Sequence, residues 1–148
     1  MSRDHRKLRA FVLADELVIG VYKHTRGFPR EETFGLTSQL RRSSISVAAN
    51  IVEGAARSGE QEFKNFLNIG LGSLRETGYY IDLATRLGFL ESRAADELSA
   101  QYEECAKVLS GLLKSLGRAK DQPREVQALK KSGKQRVEAQ DSRLRPQD

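Results

Sequence analysis

A chain of 148 residues, 39% of them hydrophobic, has room for one domain with a real core. A lone cysteine, Cys105, excludes an internal disulfide framework and fits a reducing compartment. The net charge of +5 is carried mostly by the end of the chain: residues 118–148 hold nine Lys/Arg and five Asp/Glu, leaving residues 1–117 at only +1. The high isoelectric point is therefore weak evidence for a nucleic-acid-binding folded domain.

Residues 1–7 read as a short basic arm, with Arg3, Arg6 and Lys7 against Asp4. The apolar run that follows is broken by Asp15 and Glu16 and lacks a small-residue cleavage site, so export is rejected and a cytoplasmic protein expected. No apolar run reaches the roughly 20 residues of a membrane span. A first helix is expected from about 8 to 25, with Phe11, Ala14, Val18, Val21 and Tyr22 inward. Gly27 and Pro29 end it, and Phe28 should fold back as a plug on the bundle end.

The most informative stretch is 34–58. On a helical wheel it separates into three strips. Leu36, Leu40, Ser43, Val47, Ile51 and Gly54 lie within about 80° of one another. Arg41, Ile45, Ala48, Ala49, Val52 and Ala56 form a second, small and apolar strip. A polar line of Gln39, Arg42, Ser46, Asn50, Glu53 and Arg57 runs between them. One apolar stripe suffices for a surface helix; two call for neighbours on both flanks, the chain's own bundle and another subunit. Charges on the polar line must pair with one another or with neighbours such as Glu62 if they are buried. Gln39, Arg42, Ser46, Asn50 and Glu53 are thus candidates for a register-fixing network or a subunit contact, the alternative being a ligand- or RNA-contacting line.

Thr33 is the expected N-cap of this second helix, and Ser58 that of a third running to about 87. Phe63, Phe66, Leu67, Leu74, Ile81, Ala84 and Leu87 should face inward. Gly70, Gly72 and Gly78 inside the third helix suggest close helix approach or tight subunit contact, the alternative being a break near Gly70–Gly72. Gly88 stops the helix and Phe89–Leu90 seal the turn. Ser92 should cap a fourth helix whose seam is Ala94, Leu98, Tyr102, Cys105, Leu109, Leu112 and Leu116, with Cys105 as a core residue. From 118 onward the composition favours a disordered or transiently helical basic tail. The expected fold is all-α: an up-down-up-down antiparallel four-helix bundle over 8–117.

Catalytic chemistry is not evident. His5 and His24 lack partners at metal-ligand spacing, and His24 reads as a solvated residue at a helix end. Phosphate-binding loops and nucleophile elbows are absent, so no enzyme, metal or cofactor is expected. Candidate phosphate contacts are Arg41, Arg57 and Lys64, placed near the turn between the second and third helices. The arm residues Arg3, Arg6, Lys7 and Arg9 and the tail residues Lys130, Lys131, Lys134 and Arg136 join them.

The segment from Phe28-Pro29 through Phe34-Gly35-Leu36, Arg41-Arg42, Asn50-Ile51-Val52-Glu53-Gly54, Glu62-Phe63, Phe66-Leu67 and Gly72-Ser73 to Leu87-Gly88-Phe89-Leu90 resembles a bacterial family. Its members are four-helix bundles encoded in intervening sequences of 23S ribosomal RNA genes. The likeness spans about 8–116. The same family looks to include the accessory variability determinant of diversity-generating retroelements, a pentameric barrel that binds a reverse transcriptase and nucleic acid. The resemblance implies a ring-forming oligomer, commonly a homopentamer, and transfers no catalytic residue. The expected function is a non-enzymatic oligomer binding RNA or DNA, RNA first, or scaffolding a ribonucleoprotein or reverse-transcriptase complex; the alternative is a protein–protein adaptor ring.

Overall fold

A computed structural model describes residues 2–118. The chain divides into two compact units, Met1–Lys114 and Ser115–Asp148. The hydrophobic core, from Ala10 to Leu113, belongs to the first of them. Four α-helices and no strand occur among the described residues: α1 (Arg9–Thr25), α2 (Leu36–Ala56), α3 (Glu60–Arg86) and α4 (Ser92–Arg118). Short 3-10 turns at His5–Lys7 and Arg30–Glu32 precede α1 and α2. The tail beyond 118, with Lys130, Lys131, Lys134 and Arg136, lies outside the described residues.

The first strip of α2 is buried throughout: Leu36, Leu40, Ser43, Val47, Ile51 and Gly54 all face the core. It meets Phe63, Leu67, Gly70, Leu74 and Thr77 of α3, also buried. Contacts between the two helices step in opposite directions along the chain. Gly54 touches Phe63 and Phe66, Asn50 lies over Gly70, Ser46 bonds Ser73, and Ser43 bonds Thr77. Gly20 of α1 meets Leu98 and Gln101 of α4, and Gly78 of α3 meets Tyr102 of α4. With α1 also against α2, each helix has two neighbours, the pattern of a four-helix bundle.

In α1 the buried face is Ala10, Leu13, Ala14, Leu17, Gly20, Val21 and Thr25. The expected Phe11, Val18 and Tyr22 sit at its edge, Tyr22 being exposed. Two adjacent apolar stripes satisfy the helical period in this stretch, and only packing against α4 selects the one through Leu13 and Leu17. Leu87, the first residue after α3, is likewise 54% exposed. In α4 the core is Ala95, Leu98, Cys105, Leu109 and Leu113, with the expected Ala94, Tyr102, Leu112 and Leu116 flanking it.

The caps differ from expectation too. Gly35, not Thr33, precedes α2, and the Glu32 carboxylate accepts the Leu36 N–H at 2.9 Å. Thr33 instead donates its hydroxyl to Arg30 O. A carboxylate at a helix N-terminus also favours the helix dipole. Gly59 rather than Ser58 precedes α3, with no side-chain cap, and Glu91 O accepts from Ala95 N–H ahead of Ser92. Helix α3 is continuous through Gly70 and Gly72. Its end is as expected: Gly88, at φ +77°, donates to Thr85 O and Phe89 to Ala84 O. That paired closure needs a left-handed residue, which glycine adopts without a Cβ clash. Phe89 then meets Phe28, the plug, at 5.7 Å between ring centroids.

Cys105 is fully buried, and burial pushes its thiol up from the ordinary 9.0 to about 12. In the unfolded chain the thiol loses its proton first. Its stabilising contribution is therefore whole below about pH 9 and falls as pH rises toward about 12. Cys105→Ala should flatten that decline. Urea unfolding at about pH 8 and about pH 10.5 checks it: equal pH dependence in the two proteins would contradict a buried, neutral thiol.

Candidate functional site

The N-terminal arm is docked, not free. Asp4 caps the His5–Lys7 turn by accepting the Arg6 N–H at 3.1 Å, and Arg6 also binds both Asp4 oxygens through Nε at 3.0 Å and Nη2 at 3.2 Å. The Arg6 side-chain bond lowers the Asp4 carboxyl below its usual range, with the backbone bond second. The His5 ring stands edge-on to Phe11. Arg3 donates its backbone N–H to Ala55 O at 2.7 Å, which pins the arm to the last turn of α2. Its guanidinium lies 4.1 Å over the Phe63 ring.

Arg57 follows α2 directly. Its guanidinium covers Phe66 at 5.1 Å, one helical turn along α3 from Phe63, and pairs with Glu53. Arg3 Nη1 and Arg57 Nε are both buried without a hydrogen-bond acceptor. Two guanidiniums set over neighbouring phenyl rings thus border the α2–α3 turn, each with one nitrogen that lacks an acceptor. Lys64 is adjacent in sequence to Phe63 and half-buried.

Arg41 does not belong to this group, contrary to the sequence expectation. It stands 16 residues before Arg57 in α2, about 24 Å away at 1.5 Å per residue. Its Nε donates to the buried Thr25 hydroxyl at 2.9 Å, and its guanidinium covers Tyr22 at 4.5 Å. It ties α1 to α2. Arg9 reaches Glu104 of α4 at 3.4 Å.

The polar line of α2 closes onto α3 within one chain. Arg42 bonds Gln39 Oε1 and Glu76 Oε1, the latter at 2.5 Å, and Tyr80 donates to the same Glu76 oxygen at 2.7 Å. Those bonds hold the Glu76 carboxyl low, the Tyr80 bond contributing most, and the same bond raises the Tyr80 hydroxyl. Ser46 and Ser73 share a bond of 2.7 Å, and the Asn50 amide donates to Ser46 O and Oγ. These bonds link α2 to α3 within one chain.

The second strip of α2 has no such cover: Ile45, Ala49 and Ala56 are exposed and Ala48 and Val52 half-buried. Ile45 joins Tyr22, Arg41 and Phe34 along a shallow groove of about 520 Å³, and Phe34 is 94% exposed. His24 corrects another expectation. Its side chain is only 17% exposed, and Nε2 lies 3.0 Å from Glu97 Oε2. That partner, 73 residues away, arrives only when α4 packs on α1.

Among the described residues no cluster of three His, Cys, Asp or Glu could hold a metal ion. No helix there is long and apolar enough to cross a membrane. Sequence reasoning missed Phe63 and Phe66 as supports for the arginines. Their i, i+3 spacing marked them only as core.

A family model described as 23S rRNA-intervening sequence protein matches residues 6–111. Among solved structures, the chain is similar to a protein of unknown function from the S23 ribosomal protein family of Bacteroides thetaiotaomicron. The two share 25% identity at a TM-score of 0.64, over 71% of this chain and 98% of that one. No curated protein matches.

Proposed function

The chain belongs to the family of 23S rRNA-intervening sequence proteins, and on that premise we propose that it is a non-enzymatic RNA-binding protein, an antiparallel four-helix bundle that assembles with its own copies into a ring. The observation that carries RNA binding is the set of cations left without an acidic partner at the arm and the α2–α3 turn. Arg3, Lys7 and Lys64 make no ion pair among the described residues, whereas Arg6, Arg9 and Arg42 are neutralised by Asp4, Glu104 and Glu76. Unpaired Lys and Arg bind phosphate with little sequence preference. The uncovered second strip of α2 supports self-assembly, because a ring would bury it. The opposed contacts of α2 with α3 support the antiparallel arrangement.

Light-scattering mass, with and without a structured RNA at low and moderate salt, tests both parts. A ring-sized particle that binds RNA at low salt and releases it steeply as salt rises is expected. A monomer would remove the ring; no binding at low salt would remove the RNA. The near-neutral 1–117 segment and the bare Phe34 would then favour an adaptor ring for a protein partner.

A further inference from the structure

We infer that the corner where the N-terminal arm meets the α2–α3 turn is a phosphate site, with Arg3 and Arg57 taking a backbone phosphate of single-stranded RNA. This rests on the RNA-binding reading and narrows it to one place and one kind of strand.

Arg3 is fixed at both ends of its residue: the backbone N–H on Ala55 O at 2.7 Å and the guanidinium on the Phe63 ring at 4.1 Å. Little conformational freedom remains to be lost on binding. A guanidinium keeps its five N–H donors in one plane, and one held over a ring can offer them to a phosphate as a fork. Arg57 is held likewise on Phe66, and Gly54 seats both rings against α2. Arg3 Nη1 and Arg57 Nε have no acceptor in the chain. A small rotation of each guanidinium over its ring, the backbone staying in place, would turn those donors to a bound phosphate.

The other arginines near the arm are committed. Arg6 is bound to Asp4 and Arg9 to Glu104. A duplex backbone is gripped along a run of phosphates, whereas this corner offers two arginines side by side in the fold. An unpaired strand needs only a local clamp, and its splayed bases can stack on guanidinium planes. Three acids also border the turn: Glu53, Glu60 and Glu62. Of these Glu53 holds Arg57 directly, so a phosphate must compete with it. That competition gives a distinctive readout: neutralising Glu53 frees Arg57 and should tighten binding.

The test is fluorescence anisotropy of the full chain with a labelled oligouridylate of about 20 nucleotides, across a salt series. Arg3→Gln and Arg57→Gln should each weaken binding about fivefold or more. Each should also lower the slope of log K against log salt by about 0.7, the single-strand value per phosphate contact. Arg3→Lys should not restore affinity, because an ammonium lacks the planar fork. Glu53→Gln should tighten binding about twofold to threefold, and Lys23→Gln on α1 should change it less than about twofold. With a methylphosphonate-substituted strand, Arg3→Gln and the parent protein should bind alike.

If the parent binds and both glutamine variants bind equally well, the corner is not the site while the RNA reading stands. If the parent does not bind at low salt, both fall. Equal affinity for a duplex of the same length would overturn the single-strand assignment. Should Arg3→Gln or Arg57→Gln unfold by circular dichroism, Glu53→Gln decides: unchanged or weaker binding sinks the clamp.

Discussion

Phe63→Ala lowers the stability of this chain by about 3–5 kcal/mol. The side chain is 1% exposed and fills the space beneath Gly54, whose position leaves no Cβ to take up the void. Truncation removes the transfer free energy of a phenyl ring and leaves a cavity that two helices joined by a short turn close poorly. It also strips Arg3 of the ring it lies on, so the arm should loosen and its amide at Arg3 exchange faster. Urea unfolding followed by far-UV circular dichroism gives the stability change. Against the 5–15 kcal/mol typical of a folded domain, the loss takes a large share of the total. A change under about 1 kcal/mol would mean that Phe63 is not a core residue.

Gly54→Val comes second, at about 2–3 kcal/mol of destabilisation. A Cβ at position 54 would meet Phe66 Cβ at 2.8 Å and Phe63 O at 3.2 Å. Both are at or next to the backbone of α3 and cannot swing aside, so the two helices must part. The gain in helix propensity on losing a glycine, at most about 1 kcal/mol, does not offset this. Gly70→Ala is the control. Its Cβ would lie 3.5 Å from Asn50 Cβ and Val47 O, an ordinary contact, and the substitution should be neutral or stabilising by up to about 1 kcal/mol. The same urea titration compares them; similar losses at both positions would contradict this placement of α2 on α3.

Those glycines mark the limit of what local pattern can distinguish. Gly70, Gly72 and Gly78 look alike in sequence, each a cost inside a helix. Packing separates them: a Cβ on Gly78 would meet the Tyr102 ring at 2.5 Å, Gly70 has room for a methyl, and Gly72 has nothing within 4 Å. Gly54 belongs to the buried strip already in the periodicity, but only packing shows that a Cβ there would press on Phe66 Cβ and the Phe63 backbone oxygen.

The sequence by itself determined the four helices, the buried strip of α2 from Leu36 to Gly54, the Gly88 stop, the Phe28 plug and Cys105 as a core residue. Apart from the Phe28 plug, which follows from a helix stop beside an aromatic and closes on Phe89, each is written in local periodicity or in the conformational limits of one residue. The tertiary structure decided the rest. It chose Leu13 and Leu17 over Phe11 and Tyr22, put Glu32 at the start of α2 in place of Thr33, and brought Glu97 to His24. It moved Arg41 away from the turn, and it laid Arg3 and Arg57 on Phe63 and Phe66. The physical reason is common to all of these. A helix with more than one plausible apolar or polar stripe is degenerate in its own pattern, and only the free energy of packing against a neighbour chooses among the alternatives.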